Sequence, residues 1–208
     1  MSPPKTERLV IAGPAGALEA AIDDPAAPSA SVAVVCHPHP LYGGTLDNKV
    51  VTTLARACTD CGVPAVRFNF RGVGRSAGSY DEGLGEIEDA LNVCDFALSR
   101  WPGRSLIVCG FSFGGYIAYE VALKREIQLL ITVAPAVTRF AMSGTEPKCR
   151  WLLVQGDQDE VVDPKAVLDW ARSLGRPPTL KVLSGVGHFF HGRLHDLREV
   201  ATEAVRNG

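Results

Sequence analysis

The sequence contains no apolar run long enough to cross a membrane, and no excess of charge of one sign. Its longest apolar runs, such as Leu129–Val133, are far below the ~20 residues that a spanning helix needs. Lys and Arg number 21 and Asp and Glu 23, which gives a net charge of −2 without any block of like charges. This excludes the basic footprint of a nucleic-acid-binding protein. Residues 1–8 lack the apolar core of a signal peptide, so we expect a cytoplasmic protein with no membrane partner.

The chain also has no internal repeat, no low-complexity tract and no long polar linker. Hydrophobic residues make up 46% of its 208 residues and charged residues 21%, which is typical of an ordered globular protein and excludes intrinsic disorder. A chain of this length can bury a full core. We therefore expect residues 1–208 to form one domain, as a monomer or a homodimer.

The cysteines do not indicate a disulfide framework, because such frameworks are typical of short secreted chains. Cys58 and Cys61 have the spacing of a thioredoxin motif, but they fall at the end of a predicted helix rather than at the start of one. Free cysteine is one of the most buried residue types. We expect all six to pack in the core: Cys36, Cys58, Cys61, Cys94, Cys109 and Cys149.

Apolar runs rich in Val, Ile and Leu recur along the chain and predict strands. Runs without polar alternation are typical of strands that are covered on both faces. Two short β-like segments open the chain and six such runs follow. The eight segments are Arg8–Ile11, Leu18–Ala21, Val32–Cys36, Ala65–Phe70, Leu106–Cys109, Leu129–Val133, Trp151–Val154 and Leu180–Leu183.

Segments of helical periodicity lie between these runs. Their apolar stripes are Val50–Cys61, Ile87–Trp101, Val167–Leu174 and Leu194–Ala204, and a further helix is predicted over Tyr116–Leu123. One stripe follows Asp163-Pro164, an N-cap with proline at the first helical position. The alternation predicts right-handed βαβ units and a mostly parallel sheet with helices on both faces. Ligands of such sheets bind at the carboxyl ends of the strands.

A glycine-rich turn after the run Leu106–Cys109 carries a candidate nucleophile. The residues 110–115, Gly-Phe-Ser-Phe-Gly-Gly, contain Gly-x-Ser-x-Gly between a predicted strand and a predicted helix. A serine on so sharp a turn takes a strained backbone, and glycines two residues to either side remove side chains that would clash. A buried serine in a structural turn is the plainer interpretation, but this context favours Ser112 as a nucleophile.

A serine needs a base to act as a nucleophile at neutral pH. Of the five histidines, His188 follows the last predicted strand in a flexible turn at the correct edge of the sheet. His191 and His195 lie four apart at the start of the last helix, and we expect them at the surface. Carboxylates after Trp151–Val154 lie between the serine and His188, so the chain follows the order Ser-Asp-His of a catalytic triad.

These motifs resemble those of the α/β-hydrolase superfamily over nearly the whole chain. The loops 37–44, which reads His-Pro-His-Pro-Leu-Tyr-Gly-Gly, and 68–76 are similar to those of a small bacterial branch. The resemblance implies a twisted, mainly parallel sheet with one antiparallel strand near its start. It also implies that the acid is Asp159, in a Gly-x-x-Asp-x-x-Val pattern. Asp157, beside Gly156, is the alternative and better fits a turn.

We expect roughly seven or eight strands and no cap domain in this α/β-hydrolase fold. Caps usually enter after the strand that follows the nucleophile helix. Here only residues 135–150 separate Leu129–Val133 from the next strand, which is enough for a loop or one short helix.

The resemblance also predicts the oxyanion hole. One donor is the backbone N–H of the residue after the nucleophile, Phe113, and the other comes from the loop after the third strand. That loop departs from the more frequent His-Gly-x pattern, and Pro38 and Pro40 have no N–H to give. The second donor is then His39 or Leu41, and we favour His39.

Apolar side chains from the same loops predict a shallow acyl pocket. Without a cap they can form a patch for a small acyl group but cannot enclose a long chain. In the alternative, Phe140 and Met142 pack into the core or a dimer contact. The predicted pocket residues are Leu41, Tyr42, Phe113, Val137, Phe140 and Met142.

Two further patterns carry weaker alternatives. His37 and His39 could chelate a metal from alternate positions at a strand end, but a zinc hydrolase needs a third ligand, so we expect no metal. Residues 72–77 formally match a Gly-x-Gly-x-x-Ala dinucleotide fingerprint, yet no helix is predicted to begin at Gly74. We therefore expect no cofactor.

The sequence thus predicts a serine hydrolase of small acyl esters, or of related thioester or amide bonds, that acts through Ser112, His188 and Asp159. A serine peptidase or an acyltransferase would use the same residues. A non-catalytic binding protein would keep the fold without its activity, since fold alone does not fix function.

Overall fold

The computed structural model describes residues 5–140, 142 and 145–207. In this part of the chain eight strands form one sheet: β1 (Lys5–Gly13), β2 (Gly16–Asp24), β3 (Ser31–Cys36), β4 (Ala65–Phe68), β5 (Ser105–Phe111), β6 (Leu129–Val133), β7 (Arg150–Gly156) and β8 (Thr179–Leu183). The helices are α1 (Lys49–Asp60), α2 (Leu84–Arg100), α3 (Phe113–Lys124), α4 (Pro164–Ser173) and α5 (Leu194–Arg206).

The sheet is mostly parallel, with the strand order β1-β2-β4-β3-β5-β6-β7-β8. β2 pairs antiparallel with both β1 and β4, and every other pair is parallel. β2 is therefore the one strand of opposite direction among those described, as the resemblance implied. Because β3 to β8 run the same way, the loops that follow them meet at one edge of the sheet.

Helices cover both faces of the sheet and divide the core into two layers. Apolar residues of α2, α3 and α4 pack on one face, and those of α1 and α5 pack on the other. Strands β3, β5 and β6 lie between the layers, which explains why their sequences lack polar alternation. The predicted N-cap of α4 is confirmed, since the Asp163 carboxylate accepts a hydrogen bond from the Lys165 N–H and Pro164 begins the helix.

Two sequence predictions about the core and the strands need correction. β4 ends at Phe68, because the N–H of Phe70 donates to the ring of the buried His37 instead of continuing the ladder. All six cysteines are free thiols, but Cys61 and Cys149 are only partly buried. Both lie close to the ends of their elements, where the chain approaches the surface.

The loop after β4 is held by ion pairs. Arg71 donates to the fully buried carboxylate of Asp89 on α2, with nitrogen–oxygen distances of 2.8 and 3.1 Å. Arg75 pairs with Glu19 of β2 at 3.1 Å. The next helix begins only at Leu84, so the glycine pattern of this loop lacks the helix that a dinucleotide site requires.

The described part of the connection between β6 and β7 forms no separate helical lid. It comprises residues 134–140, 142 and 145–149. None of the helices in the described ranges is long and apolar enough to cross a membrane.

Candidate active site

Ser112 lies on a strained turn between β5 and α3. Its backbone has φ 56° and ψ −116°, a region that residues other than glycine rarely adopt. The turn is crowded by backbone, because a Cβ on Gly110 would lie 1.9 Å from the Gly114 oxygen, and one on Gly114 would lie 2.3 Å from the Cys36 oxygen. The two flanking glycines are therefore required by packing, as the sequence predicted. The turn presents the serine hydroxyl at the carboxyl edge of the sheet.

The structure brings Ser112, His188 and Asp159 together although they follow three different strands. The distance from His188 Nε2 to Ser112 Oγ is 3.2 Å, and that from His188 Nδ1 to Asp159 Oδ2 is 2.8 Å. All three residues are buried, with exposed fractions of 8%, 2% and 8% respectively. With the proton on Nδ1 donated to the carboxylate, Nε2 is free to accept the proton of the serine hydroxyl.

The carboxylate of Asp159 is held ionised by its hydrogen bonds. Oδ1 accepts from the N–H groups of Val161 (2.9 Å) and Val162 (2.7 Å), and Oδ2 accepts from the side-chain amide of Gln155 at 3.0 Å as well as from His188. Burial acts to raise the pKa of Asp159, but these hydrogen bonds outweigh it and leave the pKa below the ordinary value of 3.8. The acceptor opposite the imidazole is therefore charged at neutral pH.

Asp157, the alternative acid, instead stabilises the turn that follows β8. Its carboxylate accepts hydrogen bonds from the Ser184 hydroxyl at 3.0 Å and from the Gly185 N–H at 2.7 Å. These bonds lower the pKa of Asp157 and hold the start of the segment that leads to His188. Of the two aspartates, only Asp159 is hydrogen-bonded to the imidazole.

The segment that carries His188 is fixed on both sides of the ring. Its backbone N–H donates to the Glu160 carboxylate at 3.1 Å, and the flanking Val186 and Phe190 are buried. The imidazole packs on the ring of Phe111, with the two ring centres 4.9 Å apart. His191 and His195 are exposed, as predicted.

The loop after β3 brings two candidate N–H donors to the other side of the serine. The Leu41 N–H donates to His39 Nδ1 at 3.2 Å, within the short 3₁₀ turn Pro40–Tyr42. Within the described residues, neither the His39 N–H nor the Phe113 N–H has a hydrogen-bond partner. The Leu41 N–H is thus already used in a hydrogen bond, whereas the N–H groups of His39 and Phe113 remain available as donors.

The two histidines of this loop have separate structural partners. His37 is fully buried, its Nδ1 lies 2.6 Å from the Pro38 oxygen, and its Nε2 accepts from the Phe70 N–H at 3.1 Å. Burial lowers the pKa of His37 to about 4, so the ring is neutral. Both of its nitrogens are used within the protein, which leaves none for a metal ion. His39 lies in a cluster of aromatic rings, and its Nε2 is 3.3 Å from the Tyr80 hydroxyl.

A cavity of about 440 Å³ opens over the serine hydroxyl. The loops after β3, β5, β6, β7 and β8 all contribute to its wall. The lining residues are Pro38, His39, Tyr42, Gly43, Gly44, Asn48, Ser112, Phe113, Ala136, Thr138, Arg139, Phe140, Val161, Val162, His188 and Phe189.

Three of the predicted pocket residues lie outside this cavity. Tyr42, Phe113 and Phe140 line it, whereas Leu41, Val137 and Met142 do not. Leu41 is 66% exposed, Val137 is partly buried against the core layer of α2, α3 and α4, and Met142 packs into that layer. For Met142 the alternative of core packing therefore applies.

Sequence reasoning missed several residues of the site. Gln155 and Glu160 flank Asp159 and hold the carboxylate and the His188 backbone respectively. A polar Gln at the end of the apolar run of β7 was the available signal for the first. Arg139 was also missed, although it is the one charged residue in the mainly apolar stretch 133–142.

Comparison with known proteins assigns this architecture to the α/β serine hydrolases. A serine hydrolase homologue from Coxiella burnetii is 46% identical, with a TM-score of 0.91 over 95% of this chain and 96% of that one. A serine hydrolase without a lid from Xanthomonas campestris is 42% identical, with a TM-score of 0.94 over 100% of this chain and 96% of that one. The α/β-hydrolase fold predicted from the sequence is confirmed.

The family follows from the same comparisons. Residues 33–148 match the family described as serine aminopeptidase, S33. The uncharacterized protein RP471 of Rickettsia prowazekii is 33% identical over 202 residues, which cover 92% of this chain and 85% of that protein. The chain belongs to this family of serine hydrolases.

Proposed function

We propose that the protein hydrolyses small acyl esters, with Ser112 as the nucleophile, His188 as the general base and Asp159 as the residue that orients it. The observation that carries this proposal is the hydrogen-bond chain from the Ser112 hydroxyl through both nitrogens of His188 to the Asp159 carboxylate, with distances of 3.2 and 2.8 Å. Its first member lies on a strained turn at the mouth of a cavity. Backbone strain of this kind is concentrated at functional sites.

In the proposed mechanism the proton moves along this chain. Ser112 Oγ attacks the acyl carbonyl carbon while His188 Nε2 accepts its proton. The imidazolium that forms is stabilised by the ionised Asp159. It then returns the proton to the leaving alcohol, and a water activated by the same nitrogen hydrolyses the acyl-enzyme. This cycle requires neither a metal nor an organic cofactor.

The carbonyl oxygen becomes an oxyanion in each tetrahedral intermediate. We assign its stabilisation to the backbone N–H groups of Phe113 and His39, and one such donor typically contributes 10²–10³-fold in rate. Two observations support this assignment. Leu41 donates its N–H to the His39 ring, and Pro38 and Pro40 have no N–H to offer. The backbone of Gly114 also lies so close to the Cys36 oxygen that a Cβ would not fit between them, so the two donor loops are adjacent.

Ester hydrolysis is favoured over aminopeptidase activity by the charge of the cavity. An aminopeptidase has to hold a protonated terminal amine, for which a carboxylate is the natural partner. The described residues that line the cavity include no Asp or Glu but do include Arg139. The comparison that tests this point is hydrolysis of p-nitrophenyl butyrate against alanine p-nitroanilide. A larger kcat/KM for the anilide would overturn the ester assignment.

The decisive experiment for the nucleophile is covalent labelling with a fluorophosphonate, followed by mass spectrometry of the labelled peptide. We expect one label, on Ser112, and no label in Ser112→Ala. Ser173→Ala, which changes an exposed serine of α4, is the matched control and should label fully. An unlabelled wild-type protein that also fails to hydrolyse acyl esters would favour a non-catalytic binding protein. Loss of activity in EDTA would instead indicate a metal-dependent reaction.

A further inference from the structure

Arg139 is held at the cavity mouth by a neighbouring aromatic ring. It lies in the loop after β6, and its Nη2 donates to the Tyr42 hydroxyl at 3.1 Å. The guanidinium carbon also lies 5.1 Å from the centre of the Tyr42 ring, a cation–π contact. These two contacts orient a flexible side chain although it is exposed. One hydrogen bond of this kind leaves most of the five guanidinium N–H groups available to another partner.

The charge of Arg139 has no counter-ion. Within the described ranges no carboxylate lies within 4.0 Å of its guanidinium, whereas Arg67 and Arg71 are each paired with an aspartate. The described lining of the cavity contains no other Lys or Arg and no Asp or Glu. An oriented and unpaired guanidinium in a mainly apolar pocket is suited to bind a carboxylate, for which its planar fork is complementary.

The position of the base decides which part of an ester this guanidinium would meet. During hydrolysis the leaving alcohol has to face His188, which protonates it. Arg139 packs on Tyr42, whose ring contacts that of His39 with a centre-to-centre distance of 4.7 Å. This loop carries His39, one of the two proposed oxyanion donors, and none of the contacts described for Arg139 and the Tyr42 ring involves His188. The acyl portion of the substrate would therefore extend toward Arg139.

We propose that Arg139 binds a carboxylate at the far end of the acyl group, so that the preferred substrates are half-esters of short dicarboxylic acids. The inference rests on the proposed ester hydrolysis by Ser112 and deepens it. The proximity of Arg139 to the loop is consistent with its influence on His39, since burial, and then the charge of Arg139, lower the pKa of that imidazole.

The test compares substrates of the same shape that differ in charge. The monomethyl esters of succinic, glutaric and adipic acid are compared with the corresponding ester amides, in which a carboxamide replaces the free carboxylate. Their leaving group is methanol, so the charge can lie only on the acyl portion. Acid release in a pH-stat gives kcat/KM for each. We expect at least one acid to exceed its amide by about tenfold, the ratio that corresponds to about 1.4 kcal/mol.

Variants of Arg139 test whether the preference for the acid over its amide depends on this side chain. Arg139→Gln should abolish the advantage of the acid by raising its KM, so that kcat/KM for the acid and for its amide then agree within about twofold. Arg139→Lys should retain part of it, because the charge remains but the fork is lost. Arg172→Gln removes a charge from an exposed arginine of α4 outside the cavity and should leave the advantage intact. Equal rates for acid and amide in the wild type, or an advantage that survives Arg139→Gln, would overturn the proposal.

A binding measurement separates this inference from the proposed function. Calorimetry with Ser112→Ala and the intact half-esters reports recognition without turnover. Preferred binding of an acid over its amide, lost in the double variant with Arg139→Gln, supports the inference even if the wild type hydrolyses neither. Hydrolysis of neutral esters without preferred binding of any acid refutes it and leaves the hydrolase proposal standing.

Discussion

The imidazole of His188 is hydrogen-bonded to Asp159, at 2.8 Å, while Asp157, two residues earlier, is bonded to the turn that precedes the histidine. We predict that Asp159→Asn lowers kcat about 10⁴-fold, because an amide cannot stabilise the imidazolium and favours the wrong tautomer. Asp157→Asn keeps an oxygen acceptor for the turn and should change kcat less than about threefold. Steady-state kinetics on p-nitrophenyl butyrate measure both, and a larger loss in Asp157→Asn would move the acid to that position.

The contact between Gly114 and the loop after β3 gives a second prediction. A Cβ at Gly114 would lie 2.3 Å from the Cys36 oxygen and 2.5 Å from the His37 oxygen, and neither backbone atom can move aside freely. Gly114→Ala should therefore destabilise the fold by about 3 kcal/mol. It should also lower kcat/KM by about 10²-fold, because the two proposed oxyanion donors would be pushed apart.

Urea unfolding and kinetics check this prediction against Gly175→Ala. A Cβ at Gly175 would meet only the carboxylate of Glu146, at 2.9 Å, which is the far end of a flexible side chain rather than backbone. This control should lose less than about 1 kcal/mol. Comparable losses in the two variants would contradict the prediction.

The burial of His37 predicts how stability depends on pH. Its pKa is about 4 in the folded protein against an ordinary value of 6.5, so between these values the unfolded chain binds the proton more readily. The stabilisation from neutral His37 is complete above pH 6.5 and is lost as the pH falls toward 4. At pH 5 the loss amounts to about 2 kcal/mol.

Urea unfolding at pH 7.5 and pH 5 measures this difference. His37→Gln cannot titrate, so its free energy of unfolding should fall less between the two pH values, whatever its absolute stability. The exposed His191→Gln should retain the wild-type difference. An unchanged difference in His37→Gln would show that the buried imidazole is not the group that titrates.

The open side of the cavity predicts the dependence on acyl length. Each buried CH₂ contributes about 0.8 kcal/mol, but only where protein covers it. No helical lid covers the cavity in the described residues, so the distal methylenes of a long acyl chain would stay in water and add little. Among p-nitrophenyl acetate, butyrate, octanoate and palmitate we expect the maximum at acetate or butyrate, with no jump in rate on micelles. A maximum at palmitate would refute the idea.

Periodicity and turn chemistry predicted the framework of this protein closely. All eight strands lie where apolar runs indicated them, and β6 has the predicted bounds, Leu129–Val133. The elbow at Ser112 was predictable because strand, glycines and helix are adjacent in sequence. The end of β4 was not predictable from the sequence, because it depends on a hydrogen bond from the Phe70 N–H to the His37 ring. These two residues lie 33 positions apart in the chain.

The residues around the candidate site were harder to predict for a related reason. Side-chain direction follows a simple period in strands and helices but not in irregular loops. Leu41 and Tyr42 are neighbours in one 3₁₀ turn and both are largely exposed, yet only Tyr42 lines the cavity. The role of Arg139 depends on Tyr42, 97 residues earlier in the chain, and no local pattern relates the two.

The place of β8 at the end of the described sheet order affects how well activity resists denaturant. β8 pairs with β7 alone and is largely exposed, whereas β5, which leads to Ser112, has strands on both sides. The segment that carries His188 directly follows that outer strand in the chain. Local opening of β8 would detach the base from the serine without global unfolding. Amide hydrogen exchange should therefore be faster in β8 than in β5, and activity should disappear at lower urea concentration than helical circular dichroism.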